Sequence, residues 1–293
     1  MTKGLVASIA ASVLFAVLYY MAPLLQPLDG EQIFGWRVVW TLPFTTFLML
    51  ALGQWPRVKE LLLRAWRQPA LALALVGSAA MLGVQQWVFL WAPLHGRALP
   101  VSLGYFLLPL VMVLTGRVLF DERLSRLQWM ATVVAGIGVG HEFMRTGGIS
   151  WETWLVALGY TIYFVMRRYL HTGHLGGHWL DMALLLPAAL WFVMREPSSI
   201  PVMAGHTHLW AMVPALGVVS AVALALYMAA SRLLPLGLFG LLSYLEPVLL
   251  ALVAFLLGES IQPAQWPTYG PIFVAVGMLV LDGVLRWRRR MRG

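Results

Sequence analysis

The sequence predicts an all-α integral membrane protein in which ten transmembrane helices form a five-plus-five inverted repeat around a central cavity. Three observations carry this expectation. Over 293 residues, 60% are hydrophobic and 11% charged, with a mean hydropathy of +0.79, more apolar surface than a water-soluble core of this size uses. Apolar runs of about 20 residues, the length a bilayer takes, recur from Leu5 almost to the end of the chain. One stretch also repeats: LFDERLSRLQWMATVVAGIGVG at 119–140 returns as LLGESIQPAQWPTYGPIFVAVG at 256–277.

The spans follow in order. The first, 5–25, comes after only Met-Thr-Lys and has no small-residue cleavage site, so it reads as a retained helix. Its Ser8, Ser12, Phe15 and Tyr19 form a stripe. The second, 31–52, carries Arg37 within FGWRVVW. QWPRVKELLLRAWRQP at 54–69 is the one longer link, a connector whose aromatics sit among headgroups, with Trp55, Val58, Leu62 and Trp66 at amphipathic spacing. The third span, 70–92, holds Gln85, Gln86 and Trp87; the fourth, 98–120, aligns Ser102, Tyr105, Pro109, Met112 and Gly116 in steps of three and four. The fifth, 127–144, contains GIGVG, read as a tight helix contact with no phosphate-loop meaning. The sixth and seventh, 151–170 and 178–195, bring Tyr163. The eighth, 209–232, offers Ser220, Ala223, Tyr227 and Ser231; the ninth, 236–257, offers Gly240, Ser243, Tyr244, Glu246 and Pro247; the tenth, 264–285, runs into a basic tail, RWRRRMRG.

Charge sets the expected orientation. Of the 20 Lys and Arg, only Arg97, Arg145 and Arg195 fall on one side of these spans, Arg37 and Arg117 lie within them, and the rest share the other side with both ends of the chain. The positive-inside rule therefore places both termini in the cytoplasm. The pI of about 10.2 is topological: the basic tail suits anionic headgroups of the lipid bilayer, and no nucleic-acid motif accompanies it. With no cysteine, disulfides, thiolate metal sites and cysteine nucleophiles are excluded.

A shift of 137 residues superposes Glu122 on Glu259, Gln128 on Gln265, Trp129 on Trp266 and Gly140 on Gly277, and brings Pro109 within one residue of Pro247. The match implies two repeats, 1–145 and 146–293, the second ending in the basic tail. Five spans per copy is odd, so the copies are expected to be inverted, an arrangement that opens alternately to either side. Proline cannot donate to the carbonyl four residues earlier, so Pro109 and Pro247 are expected hinges that free the carbonyls of Tyr105 and Ser243 beside a vestibule. Packing kinks re-satisfied by neighbours are the alternative.

Glu246 lies about ten residues into its span, roughly 15 Å deep at the helical rise, where an acid costs at least about 2.5 kcal/mol. Such a group is protonated, paired or exposed to a wet cavity, and Arg37 is its best partner in the sequence. The expected substrate-binding set is Glu246, Tyr105, Ser102, Gln85, Gln86, Tyr227, Ser243, Tyr244, Tyr163, Tyr19, Trp87 and Arg37. An acid beside aromatic faces attracts amino-bearing or cationic solutes, and a carboxyl withdrawn from water is suited to exchanging protons during a cycle. A structural hydrogen bond between helices is the other role open to Glu246. His171, His174 and His178 cluster in one loop, but Gly173, Gly176 and Gly177 are expected to break the helical face that a metal would need. No nucleophile, base and acid converge, so neither metal, cofactor nor enzymatic activity is expected. Small-residue faces are compatible with a homodimer.

QQWVFLWA from Gln85, SLGYFLLPLVMVLTGRVLFDERLSRLQW from Ser102, LLLPAALWF from Leu184 and YMAASRLLPLGLFGLLSYLEPVLLALVAFLLGE from Tyr227 resemble the drug/metabolite transporter superfamily, specifically the RarD-like branch of its EamA family. The likeness covers nearly the whole chain. It implies ten helices in an inverted basket that exports or exchanges small metabolites across the bacterial inner membrane, with helices one, three, four, six, eight and nine as the main cavity walls. This chain departs at Leu108, where that branch commonly has asparagine, so the branch's association with chloramphenicol sensitivity does not carry over. Three functional readings stand at this point: a secondary transporter of small polar or amphipathic metabolites, a lipid-linked carrier translocase, and a non-transporting membrane partner subunit.

Overall fold

Short polar side chains set where several helices begin. Asp29, Ser125, Ser150 and His174 each accept a hydrogen bond from a backbone N–H in the first turn that follows, satisfying donors that no helical carbonyl can reach. At Asp29 and Ser125 the glutamine three residues on, Gln32 or Gln128, accepts in return from the cap's own N–H.

The computed structural model describes residues 2–21, 23–94, 98–122, 124–147, 150–195, 199–256 and 263–291. Its helices are α1 (Thr2–Met21), α2 (Gly30–Ala51), α3 (Trp55–Arg67), α4 (Pro69–Leu94), α5 (Ala98–Phe120), α6 (Arg126–Thr146), α7 (Trp151–Tyr169), α8 (Leu175–Met194), α9 (Ser199–Gly205), α10 (Leu209–Leu233), α11 (Leu236–Leu242), α12 (Leu245–Leu256) and α13 (Trp266–Met291).

The expectation of ten spans is corrected. Among the described residues five helices are long and apolar enough to cross a membrane: Thr2–Met21, Gly30–Ala51, Pro69–Phe89, Leu175–Met194 and Leu209–Leu233. The fold is an all-α, multi-pass membrane fold with these five candidate spans. The physical reasons differ by segment. The expected ninth span divides at Ser243 and Tyr244 into α11 and α12, of 7 and 12 residues, each shorter than a bilayer crossing. Gln128, His141 and Glu142 dilute the apolar character of α6, and Glu152, Arg167 and Arg168 that of α7.

α1 packs on α10, α2 on α8 and α10, α4 on α7 and α8, α5 on α7 and α11, and α6 on α13. One apolar core joins α1, α2, α4, α5, α7, α8, α10 and α11 through residues such as Phe34, Leu82, Met112, Phe164, Met182 and Phe239, and a second joins α5, α6, α11 and α13. Leu108, at the position of departure from the RarD-like pattern, belongs to the first core. Close crossings depend on missing side chains: a Cβ on Gly240 would sit 2.6 Å from Met112 Cβ, so glycine is what lets α11 approach α5.

The prolines behave differently from one another. Pro109 lies inside a continuous α5. At the other, the carbonyl of Ser243 accepts from the N–H of Glu246 at 3.1 Å, so the acceptor expected to be freed is satisfied by a tight turn. The side chain of Pro247 lies outside the described residues, as does that of Ser102.

Candidate functional site

Arg37 comes from the second turn of α2 and is held by Ser220 of α10, to whose Oγ its Nε donates at 2.9 Å. Within electrostatic reach of this guanidinium are Glu246, in the first turn of α12, and two tyrosines, Tyr105 of α5 and Tyr160 of α7. The rings of the two tyrosines lie 6.1 Å apart. Tyr227 of α10 lies within electrostatic reach of Glu246. Protein surrounds each of these groups, yet Arg37, Tyr105, Tyr160, Tyr227 and Glu246 all keep some accessible surface. Arg37 and Glu246 make no direct ion pair; those among the described residues join Arg145 to Glu142, Arg167 to Asp181, Arg168 to Glu122 and Arg195 to Glu31. A cation and an anion thus stand within electrostatic reach of one another, without a direct ion pair, among tyrosine side chains.

The aromatic wall is continuous on both sides. Tyr19 meets Phe89 at 6.3 Å, and Phe89 meets Tyr105 at 5.8 Å. Tyr227 touches Phe15, Phe164 and Phe239 at 5.4, 5.5 and 4.7 Å. Edge-to-face contacts at these distances hold ring orientation as well as burying area.

Other expected site residues are engaged elsewhere. Gln85 is buried in the α4–α7 interface, where its Nε2 donates to the carbonyl of Leu155 at 2.6 Å. Gln86 is buried with neither amide atom hydrogen-bonded among the described residues. Trp87 donates to Glu31 at 3.4 Å, and Glu31 pairs with Arg195. The Tyr244 hydroxyl donates to the carbonyl of Phe106 at 2.9 Å, inside a cluster formed by α5, α6 and α13. Ser243 Oγ also donates one turn back, to Phe239 O at 3.1 Å.

Tyr163 belongs to a buried polar group that the sequence reading did not foresee. Its hydroxyl donates to Asp181 at 2.9 Å, and Asp181 forms an ion pair with Arg167. Arg167, expected on the cytoplasmic surface, is 2% exposed and also donates to Gly177 O at 2.7 Å. The signal was present: Asp181 is an acid in an apolar helix, as Glu246 is, and by the same reasoning required a buried partner. Tyr160 stands one turn before Phe164 on the same face of α7 and could have been chosen over Tyr163 on that spacing.

The histidine loop also differs from expectation. Gly176 and Gly177 lie within α8 and do not interrupt it. A Cβ on Gly177 would fall 2.1 Å from the carbonyl of Thr172, so this glycine admits the loop against the helix. His174 serves as the cap of α8, and no group of metal ligands is found among the described residues.

Glu122, the repeated acid, has a structural role. Its two oxygens accept from the N–H groups of Leu236 and Gly237 at 2.7 and 2.9 Å, capping α11, while Arg168 donates to it at 2.6 Å.

A solved crystal structure of another protein superposes over 100% of both chains with a TM-score of 0.68 at 19% identity, which fixes the likeness of fold. No family model matches the chain. Relatives decide the family. An uncharacterized transporter of Pasteurella multocida is 42% identical over 292 residues, covering 100% of both chains. The chloramphenicol-sensitive protein RarD of Pseudomonas aeruginosa is 45% identical over 291 residues, covering 99% of this chain and 97% of its own. The chain belongs to the RarD-like branch of the EamA transporters. Protein RarD of Escherichia coli, 28% identical over 98% of this chain, extends the same likeness. RarD-like proteins are transporters and not enzymes, and this member is a multi-pass membrane protein of that general kind.

Proposed function

We propose that this RarD-like chain is a secondary active transporter that exports or exchanges small polar or amphipathic organic metabolites, amino-acid-like or amino-bearing, by alternating access. The observation that carries the reading is the placement of Arg37 and Glu246 within electrostatic reach of each other, without a direct ion pair, among Tyr105, Tyr160 and Tyr227. A zwitterion bridges such a pair: its carboxylate meets the guanidinium, its ammonium meets Glu246 and the aromatic faces, and each charge is relieved of the cost of standing alone.

The halves 1–145 and 146–293 serve as the two bodies that rock against each other. Support comes from the packing, in which α2 lies on α8, α5 on α11 and α6 on α13, each helix against the element at the corresponding place in the other half. Protons are the proposed coupling ion, with Glu246 as their carrier. A helical fold with multiple spans belongs to a bacterial inner membrane, since outer-membrane spans are closed β-barrels, and the arginine-rich face is assigned to the cytoplasm. Small-residue faces leave room for a homodimer.

Counterflow in proteoliposomes tests the reading. Vesicles loaded with a mixture of unlabelled amino acids and amines should accumulate a labelled member of the set, and Glu246→Gln should abolish the dependence on a pH gradient. Absence of counterflow for every amino-bearing solute, with intact folded protein, overturns the proposal.

A further inference from the structure

On the arginine-rich face, apart from the Arg37 and Glu246 site, α3, α7, α10 and the loop before α8 enclose a cavity of about 470 Å³. Five guanidiniums line it: Arg57 and Arg64 from α3, Arg167 and Arg168 from α7, and Arg232 from the end of α10. Glu60 is the one carboxylate among the described lining residues. Asp181 and Glu122 partner Arg167 and Arg168 from outside the cavity, which leaves the α3 and α10 guanidiniums facing inward against a single acid.

Two further observations point to an anionic occupant. Arg167 is almost wholly buried, yet its Nε has no hydrogen-bond partner among the described residues; a buried donor left unmade costs about 1–3 kcal/mol. His174, at the rim, is pushed down to about 4, by burial first and then by the charges of Arg57, Arg167, Arg232 and Arg64. Four of the five lining guanidiniums therefore act together on this one ring. A lone carboxylate needs one guanidinium fork, whereas the three or more oxygens of a phosphate satisfy several at once.

We propose that this cavity is a binding site for a phosphate group. Two sources supply that chemistry. One is the headgroup of an anionic phospholipid: α3 turns Trp66 and Leu63 outward at 89% and 57% exposure, as a helix lying in the headgroup layer does. The other is a soluble phosphoester reaching the cavity from water. The site does not depend on the transport reading, because it shares no residue with the Arg37 and Glu246 pair.

The test is a titration of the purified full chain in an uncharged detergent, with inorganic phosphate in one arm and dihexanoylphosphatidylglycerol in the other. Dihexanoylphosphatidylcholine serves as the zwitterionic control. Saturable binding of either anion, and not of the control, is expected. Arg64→Gln combined with Arg232→Gln should weaken it about tenfold or more, as lost charge-assisted hydrogen bonds do. Lys59→Gln combined with Arg67→Gln removes the same charge from exposed positions outside the cavity and should change affinity less than about twofold. Arg232→Gln alone, at an exposed position, gives a partial loss without a folding risk. Binding of phosphatidylglycerol alone assigns the lipid headgroup, and binding of inorganic phosphate assigns a soluble ligand. No saturable binding in either arm, or equal weakening by the two double variants, overturns the site.

Discussion

Tyr163 on α7 donates its hydroxyl to Asp181 on α8 at 2.9 Å, deep in the core and beside the ion pair of Asp181 with Arg167. Ser78 of α4 adds a longer contact to the same carboxylate at 3.5 Å. Three helices are therefore tied together by one buried acid.

Removing one partner of this group should be severe. Asp181→Leu leaves the Arg167 guanidinium buried and uncompensated, a loss of about 3–5 kcal/mol. Combining it with Arg167→Met should recover much of that loss. Thermal unfolding in detergent followed by fluorescence reads the difference; a double variant no better than Asp181→Leu would show that the ion pair is not what the core needs.

The cap on α11 should be measurable on a smaller scale. Glu122→Ala removes the acceptor for two N–H groups and an anion at a helix N-terminus, for an expected loss of about 1–2 kcal/mol. Glu122→Gln keeps an acceptor and should lose less. Hydrogen exchange at Leu236 and Gly237 should rise in the alanine variant first.

Adjacent glutamines should respond oppositely. Gln85→Met removes the hydrogen bond to Leu155 O at the α4–α7 interface, costing about 0.5–1.5 kcal/mol. Gln86→Met deletes an amide with no partner among the described residues and is expected to be neutral or stabilising. Paired melting temperatures decide this, and a Gln86→Met loss as large as that of Gln85→Met would contradict it.

At the proposed substrate site, Arg37→Gln should raise KM for a zwitterionic solute about tenfold or more, since a charge-assisted contact is lost. A solute with an amine and no carboxylate should be affected far less. Measuring both in the same vesicles separates carboxylate recognition from general damage.

His174 gives a pH signature. Its ring accepts from the Gly177 N–H at 3.2 Å as the cap of α8, and its folded value is lowered from 6.5 to about 4. A lowered folded value means that the unfolded chain takes up the proton first, so this stabilising effect is present above about pH 6.5 and fades as pH falls toward 4. His174→Asn retains a capping oxygen without a proton to gain. Its melting temperature relative to the parent chain should rise between pH 7 and pH 4.5; a constant difference would exclude the linkage.

Membrane residence, an all-helical fold and membership of the RarD-like transporters were legible in the sequence itself, because they rest on composition, apolar run length and motifs that do not depend on how helices pack. That Glu246 and Arg37 are charges needing compensation inside apolar segments was also readable, but the structure forms no ion pair between them and leaves them within electrostatic reach. Packing decided the rest. The rotation of α7 about its axis determined that Tyr160 stands near Arg37 and Glu246 while Tyr163 binds Asp181. The break at Ser243 and Tyr244 turned one expected crossing into two short helices, polar residues thinned the apolar character of α6 and α7, and five candidate spans stand among the described residues in place of ten. Hydropathy sums residues along the chain, whereas rotation about a helix axis and the closing of a turn follow from contacts between segments far apart in sequence; those contacts exist only once the chain has folded.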